Sequence, residues 1–227
     1  MCPISLFSFG RGCTGCFLLA GVLIFSACSS SPADTTLQRP RVGKAAPAAP
    51  EDSPDDVAVL ETDKGRIVIR FFPDDAPKTV ANFKKLARSG FYKGTTFHRV
   101  APGILIQGGD PLSKDNDPWN DGMGNSGEFI PFERNNRKHV RGAVAMARKE
   151  SLDSASCQFF IVLKRMPQWD GQYVVFGEAI EGLDVADQIS RVRTHTEDKR
   201  YKELPIGKQV IRKVEIVKKE AAAKSGG

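Results

Sequence analysis

An all-β fold, a closed antiparallel barrel with two helices laid over it, is the architecture predicted for residues 56–218 of this 227-residue sequence. Three features lead there. Short runs rich in Val, Ile and Phe recur, polar turns rich in Gly, Asp and Asn separate them, and only two segments carry apolar residues at helical spacing. The length suits one domain with a sizeable core.

Residues 57–62 and 66–72 are β-rich runs separated by Asp63-Lys64-Gly65, a hairpin by turn chemistry. A helix follows, with Asp74 or Asp75 as candidate cap and Pro77 in the first turn, where its missing N–H costs nothing. Val80, Phe83, Leu86 and Ala87 then recur at helical spacing until Ser89-Gly90, and Phe83 reads as core. Residues 112–131 are loaded with Asp, Asn, Gly and Ser, and loops this long are usually functional or disordered. Asp115, Asp117 and Asp121 alternate as in a calcium loop, but the Gly and closing Glu of that register are missing, so no metal is expected. Residues 181–189 read as the second helix, residues 206–217 as a returning strand, and 219–227 as a polar tail that frays.

The chemistry concentrates in residues 97–111, FHRVAPGILIQGGDP, two apolar segments broken by Pro102-Gly103. In strand geometry Leu105 and Gln107 share one face, opposite Ile104 and Ile106. Pairing of adjacent strands across the Pro-Gly turn brings Arg99 beside Gln107, a fixed cation and an amide at the edge of an apolar patch. The plainer reading is an Arg at a strand end in a surface ion pair.

This stretch resembles the signature of the cyclophilins, peptidyl-prolyl cis-trans isomerases, in which F-H-R is followed by P-G-x-x-x-Q-G-G-D. The resemblance covers roughly residues 55–218 and implies an eight-stranded barrel whose function lies on the outer face. It implies catalytic roles for Arg99, Gln107 and Phe160, with His98, Ile104 and Leu105 contributing to the substrate site; Ile104 and Leu105 stand for Phe and Met. Residues 121–125, including Gly122, resemble the loop that forms a second, shallower pocket. Residues 139–148 resemble the strand that contributes Met146 and Ala147 to the floor, with Arg148 where many members carry Asn. With Lys149 it makes the rim basic, which favours peptides with acidic residues near the proline. In the block SASCQFFI at residues 154–161 alternation puts Gln158 and Phe160 on one face, which the resemblance implies is turned to substrate, and Cys157 on the other, packed inside. Tyr173 replaces a His, and Gln168 stands at the position of a Trp important for cyclosporin, with Trp169 one place later; both are expected at the substrate site.

Residues 1–27 are expected to be a signal peptide, since the apolar core at residues 17–25 is shorter than the roughly 20 residues a permanent span needs. Phe25-Ser26-Ala27-Cys28 resembles a bacterial lipobox, which implies lipid modification of Cys28, and Ser29 resembles the signal for passage to an outer membrane. Ordinary cleavage near Ala27 is the alternative, because Phe25 stands where that pattern prefers Leu, Val or Ile. Residues 28–55 read as a Pro/Ala/Ser-rich tether. Of five cysteines only Cys157 would then remain a thiol, which excludes an internal disulfide and a multi-cysteine metal site. The net charge of +6, or +5 once Arg11 leaves, comes without an aromatic-interleaved basic stripe, so no nucleic-acid partner is expected.

These readings converge on an isomerase of Xaa-Pro bonds in exported or cell-envelope proteins, a lipid-anchored monomer facing the periplasm that needs no cofactor. The competing reading is a tethered module that binds proline-containing segments with little turnover. A hydrolase lacks an arranged Ser-His-Asp set.

Overall fold

The computed structural model describes residues 53–197, 199 and 201–224; the signal peptide, Cys28 and most of the tether lie outside them. β1 (Asp56–Thr62) and β2 (Gly65–Phe71) form the expected hairpin, Thr62 opposite Gly65. The helix α1 (Pro77–Arg88) follows, then β3 (Arg99–Ala101) and β4 (Leu105–Gly108), the long loop, β5 (Ala143–Met146), β6 (Phe159–Val162) and β7 (Val175–Glu181). The chain closes with α2 (Leu183–Ser190), β8 (Ile211–Lys218) and α3 (Lys219–Lys224).

The eight strands form one antiparallel sheet in the order β3-β4-β6-β5-β7-β2-β1-β8. The closed barrel of the sequence reading needs correction, because edge strands β3 and β8 share no ladder. The residues just before them meet instead: Thr96 bridges Val210, Ile211 N–H donates to the Thr95 carbonyl at 2.7 Å, and Phe97 N–H to that of Gln209 at 2.8 Å. The free edge of β3 is already taken, since Val100 N–H donates to the Glu203 carbonyl at 2.7 Å.

Two further expectations change. Neither Asp74 nor Asp75 caps α1; Ala76 is the capping position, and the Glu133 carboxylate accepts from the Lys78 and Thr79 amides at 2.9 and 2.8 Å. A carboxylate from far along the chain satisfies the free amides and meets the positive helix end equally well. The polar tail is helical over Lys219–Lys224, with Ala222 buried against Val57, Val59 and Val68, so a third helix joins the expected two.

The interior of the curled sheet is filled by alternate residues of each strand. Phe83 from α1 sits among Phe71, Tyr92, Phe159 and Phe176 at centroid distances of 4.9 to 5.8 Å. Cys157 is buried there as expected, and burial pushes its thiol up to about 12, away from reactive thiolate.

α1 is fastened to the sheet by a buried ion pair, Lys84 Nζ to Asp56 Oδ2 at 3.0 Å, with both side chains at most 6% exposed. Burial opposes ionisation of Asp56, but the Ser53 amide and the Lys218 and Lys84 ammonium groups outweigh it and hold the carboxyl at about 2. The unfolded chain therefore binds the proton first, and this stabilisation is complete above about pH 4 and is lost as pH falls towards 2. Asp56→Asn, which leaves Lys84 buried beside a neutral amide, should cost about 3 kcal/mol at pH 7 in urea unfolding. It should also flatten the stability curve between pH 4 and 2; an unchanged curve would assign acid sensitivity to other carboxylates.

Candidate active site

Antiparallel register draws one row of residues across five strands. Arg99 lies opposite Gln107, Gln107 opposite Phe160, Phe160 opposite Ala145, and Ala145 opposite Val175. Directly opposed side chains in a sheet stand about 4.5–5.5 Å apart, so the row forms a continuous strip on one face. A second row, Ala101, Leu105 and Val162, lies beside it. Together with Ala143 the apolar members of the two rows form a small cluster on the outer face, onto which Ala147, Trp169 and Tyr173 pack. Arg99 makes the surface ion pair of the plainer reading, with Glu203, and also lies beside Gln107 as the strand pairing predicts.

The polar groups of the strip are joined in one direction. Arg99 Nη1 donates to Gln107 Oε1 at 3.2 Å, Gln107 Nε2 donates to Gln158 Oε1 at 3.0 Å, and Gln158 Nε2 donates to the carbonyls of Gly122 and Gly124 at 3.0 and 2.9 Å. Upstream, Arg99 Nε donates to Glu203 Oε2 at 2.6 Å. Arg99 thus donates both ways, while Gln107 and Gln158 each accept from one neighbour and donate to the next, so the amide orientations are determined and the bonds polarise one another. Gly122 and Gly124 are held in turn by Asp110, fully buried, whose carboxylate accepts both their amide protons and that of Leu112. Gly124 must be glycine, because a Cβ there would lie 2.0 Å from Asp110 Oδ1.

Beside the strip opens a cavity of about 150 Å³, floored by Phe160 and Leu105 and walled by Trp169 and Tyr173, with Arg99 and Gln107 at its polar edge. Trp169 and Tyr173 meet the Phe160 ring edge-on at 5.5 and 5.4 Å. Below it the fully buried His139 stacks on Phe160 at 6.1 Å and keeps its Nδ1 on Asp170 at 3.2 Å. Burial lowers the His139 pKa against the pull of Asp170, so the ring under the floor stays neutral. A second cavity of about 100 Å³ shares Gln107, Ala147 and Arg148 with the first and extends past Gly122 and Gln158 to the exposed Phe129 and to Lys149. Arg148 is less free than its sequence suggests: it donates to the carbonyls of Gln172, Lys149 and Glu150 and lies 5.1 Å over the Tyr173 ring. Its hydrogen-bond acceptors are neutral, so the positive charge of the rim persists.

Four expected site residues lie elsewhere. Met146 points into the interior, because Ala145 and Ala147 take the outward positions of that strand and its end. Ile104 precedes β4 on the face opposite Leu105, is 36% exposed and lines neither cavity. Gln168 faces solvent, and Trp169 alone reaches the pocket. His98 is buried behind the long loop, its ring 3.6 Å from where a Cβ on Gly122 would stand, and faces a separate cavity with Asp121 and His195. Period two accounts for Met146 and Ile104, which matching by motif ignores. Sequence reading also missed Glu203, which lies 104 positions from Arg99 in the chain.

Charge in that separate cavity is displaced in both directions. Burial takes the His98 imidazole down to about 4, against the pull of Asp110. Burial, with the repulsion of Asp110 and Asp115, raises the Asp121 carboxyl to about 6. Asp115, Asp117 and Asp121 form no metal-binding group among the described residues.

An apolar ring pocket with an arginine and an amide at its lip lies on the outside of the eight-stranded antiparallel sheet. The family pattern of cyclophilin-type peptidyl-prolyl cis-trans isomerases matches residues 57–215, and the chain belongs to that family. It is thereby an enzyme of the peptidyl-prolyl isomerase class. It is 45% identical over 121 residues to a peptidyl-prolyl cis-trans isomerase of Synechococcus elongatus, covering 53% of this chain and 78% of the other. A peptidyl-prolyl cis-trans isomerase of Helicobacter pylori is 40% identical over 138 residues, or 59% and 80% of the two chains. Among solved structures, a Cryptosporidium parvum cyclophilin determined in the presence of the dipeptide Ala-Pro superposes with a TM-score of 0.63 at 30% identity, covering 71% of this chain and 98% of that one.

His98 supplies a pH test of this arrangement. Its folded pKa of about 4 lies below the ordinary 6.5, so between these values the unfolded chain binds the extra proton and stability falls as pH falls. The expected loss is roughly 3 kcal/mol from pH 7 to 4. The His98 ring resonances should titrate near pH 4 in NMR, and His98→Gln should flatten the stability profile over that window. A midpoint near 6.5 would show that the ring is not buried as described.

Proposed function

We propose that this chain accelerates rotation about Xaa-Pro bonds in exported or cell-envelope proteins, held near a membrane by a lipid on Cys28. The observation that carries the catalytic reading is the shared cavity in which Arg99 and Gln107 border an apolar pocket floored by Phe160. Rotation about an Xaa-Pro bond is slow because amide resonance gives it double-bond character. In the twisted state the nitrogen becomes pyramidal and its lone pair is freed. Arg99, whose Nε and one Nη1 proton are engaged, keeps three of its five N–H groups to donate there. The remaining Gln107 Nε2 proton reaches for the peptide carbonyl. Phe160, Leu105, Trp169 and Tyr173 hold the proline ring out of water while the acyl side turns. No covalent step is required, and acceleration comes from binding the twisted amide more tightly than either planar form.

The charge of Arg148 and the exposed Lys149 beside the second cavity supports a preference for acidic residues near the proline. The test is isomerisation of an Xaa-Pro tetrapeptide by the purified chain and by Arg99→Ala, with peptide binding followed separately. Loss of one preorganised donor group should lower kcat/KM roughly a hundredfold while the peptide still binds. Substituting Glu for Lys beside the proline should improve kcat/KM at low salt, and added salt should erase the gain. No acceleration by folded wild-type protein would leave the tethered binding module as the reading.

The envelope location rests on residues 25–29 and the tether. Two or more acyl chains, each methylene adding about 0.8 kcal/mol, would hold the domain at a membrane. Expressed in a bacterium, the protein should incorporate labelled fatty acid and fractionate with membranes, and Cys28→Ala should lose both properties. A soluble, unlabelled wild-type product would favour ordinary cleavage near Ala27.

A further inference from the structure

We infer that Glu203 is a positioning residue for Arg99, accepting its Nε–H hydrogen bond so that the remaining Nη N–H groups are turned to the proline pocket; this rests on the isomerase reading above. The Arg99 side chain is 45% exposed, and alone it would sample many rotamers. The carboxylate at 2.6 Å from Nε fixes it through a charge-assisted bond. The guanidinium stays charged whatever its partner, so the pairing orients the donors without removing them.

Glu203 is itself held by four attachments. Its carbonyl accepts the Val100 amide at 2.7 Å, so the carboxylate and the guanidinium are referenced to the same stretch of β3. The segment that carries it is closed on itself: Thr194 bridges Pro205, His195 N–H donates to the Leu204 carbonyl at 3.0 Å, and Ile206 N–H to that of Arg193 at 2.9 Å. Leu204, 7% exposed, anchors it in the fold. From the long loop, Trp119 packs on Tyr201 at 4.6 Å and on His195 at 5.3 Å, bracing the segment from outside. The segment therefore adds nothing to the eight-stranded ladder, yet it occupies the edge of β3 and presents a carboxylate to Arg99 at the pocket lip.

The experiment compares the full chain with Glu203→Ala and Glu203→Gln. With Ala, kcat on the tetrapeptide should fall about tenfold while KM stays within about twofold, since the lost orientation matters most in the twisted state. Gln retains an acceptor oxygen and should recover kcat to within about threefold of wild type. Melting temperatures should match, and the Arg99 Nε–Hε signal, identified by its loss in Arg99→Lys, should move in Glu203→Ala. An active wild type with an equally active Glu203→Ala would overturn this inference and leave the isomerase reading intact. So would a loss that tracks a lowered melting temperature. An inactive wild type would overturn the isomerase reading instead, and the Arg99 signal would then decide alone: movement in Glu203→Ala supports positioning by Glu203, and an unmoved signal refutes it.

Discussion

Alternation along an antiparallel strand is the constraint on which this molecule depends. Each of β4, β5, β6 and β7 must fill the curled interior with every second residue, which leaves the others on the outer face. Ile106, Val144, Phe159, Ile161 and Phe176 go inside; Leu105, Ala145, Phe160 and Val175 go outside. A slip of one residue in any of these strands would exchange the two sets and abolish core and pocket together. The site is therefore as well specified as the core, although it contributes little to the interior.

On that outer face, polar order is imposed by a chain of hydrogen bonds that starts at a carboxylate and ends at two backbone carbonyls. It runs from Glu203 through Arg99, Gln107 and Gln158 to Gly122 and Gly124. Asp110 closes the far end by holding the amides of the same two glycines. Reorienting any member would leave a partner without its bond. Under the proposed function such an arrangement would be prepared before a peptide arrives, so little reorganisation would remain when the amide twists.

Burial and charge are apportioned in a way that separates stability from function. The interior pair Asp56–Lys84 fastens α1, and His98 and His139 are kept neutral behind and beneath the groove. Groove charges such as Arg99 and Lys149 remain exposed to solvent. The Cys157 thiol, raised by burial, belongs with the fold.

Much of this was legible in the sequence because it depends on neighbours in the chain. The Asp63-Lys64-Gly65 hairpin, the helical spacing around Phe83, the common face of Leu105 with Gln107 and that of Gln158 with Phe160 follow from local geometry alone. The pairing of Arg99 with Gln107 follows from a short turn between adjacent strands. What only the tertiary structure decided involves partners distant in sequence: the Glu133 cap on α1, the docking of α3, the open edge between β3 and β8, and the carboxylate of Glu203 on Arg99. Matching by motif also misplaced Met146 and Ile104, since a motif names positions without saying which way a side chain points. Periodicity constrains a residue relative to those beside it; which remote group satisfies it depends on how the whole chain packs.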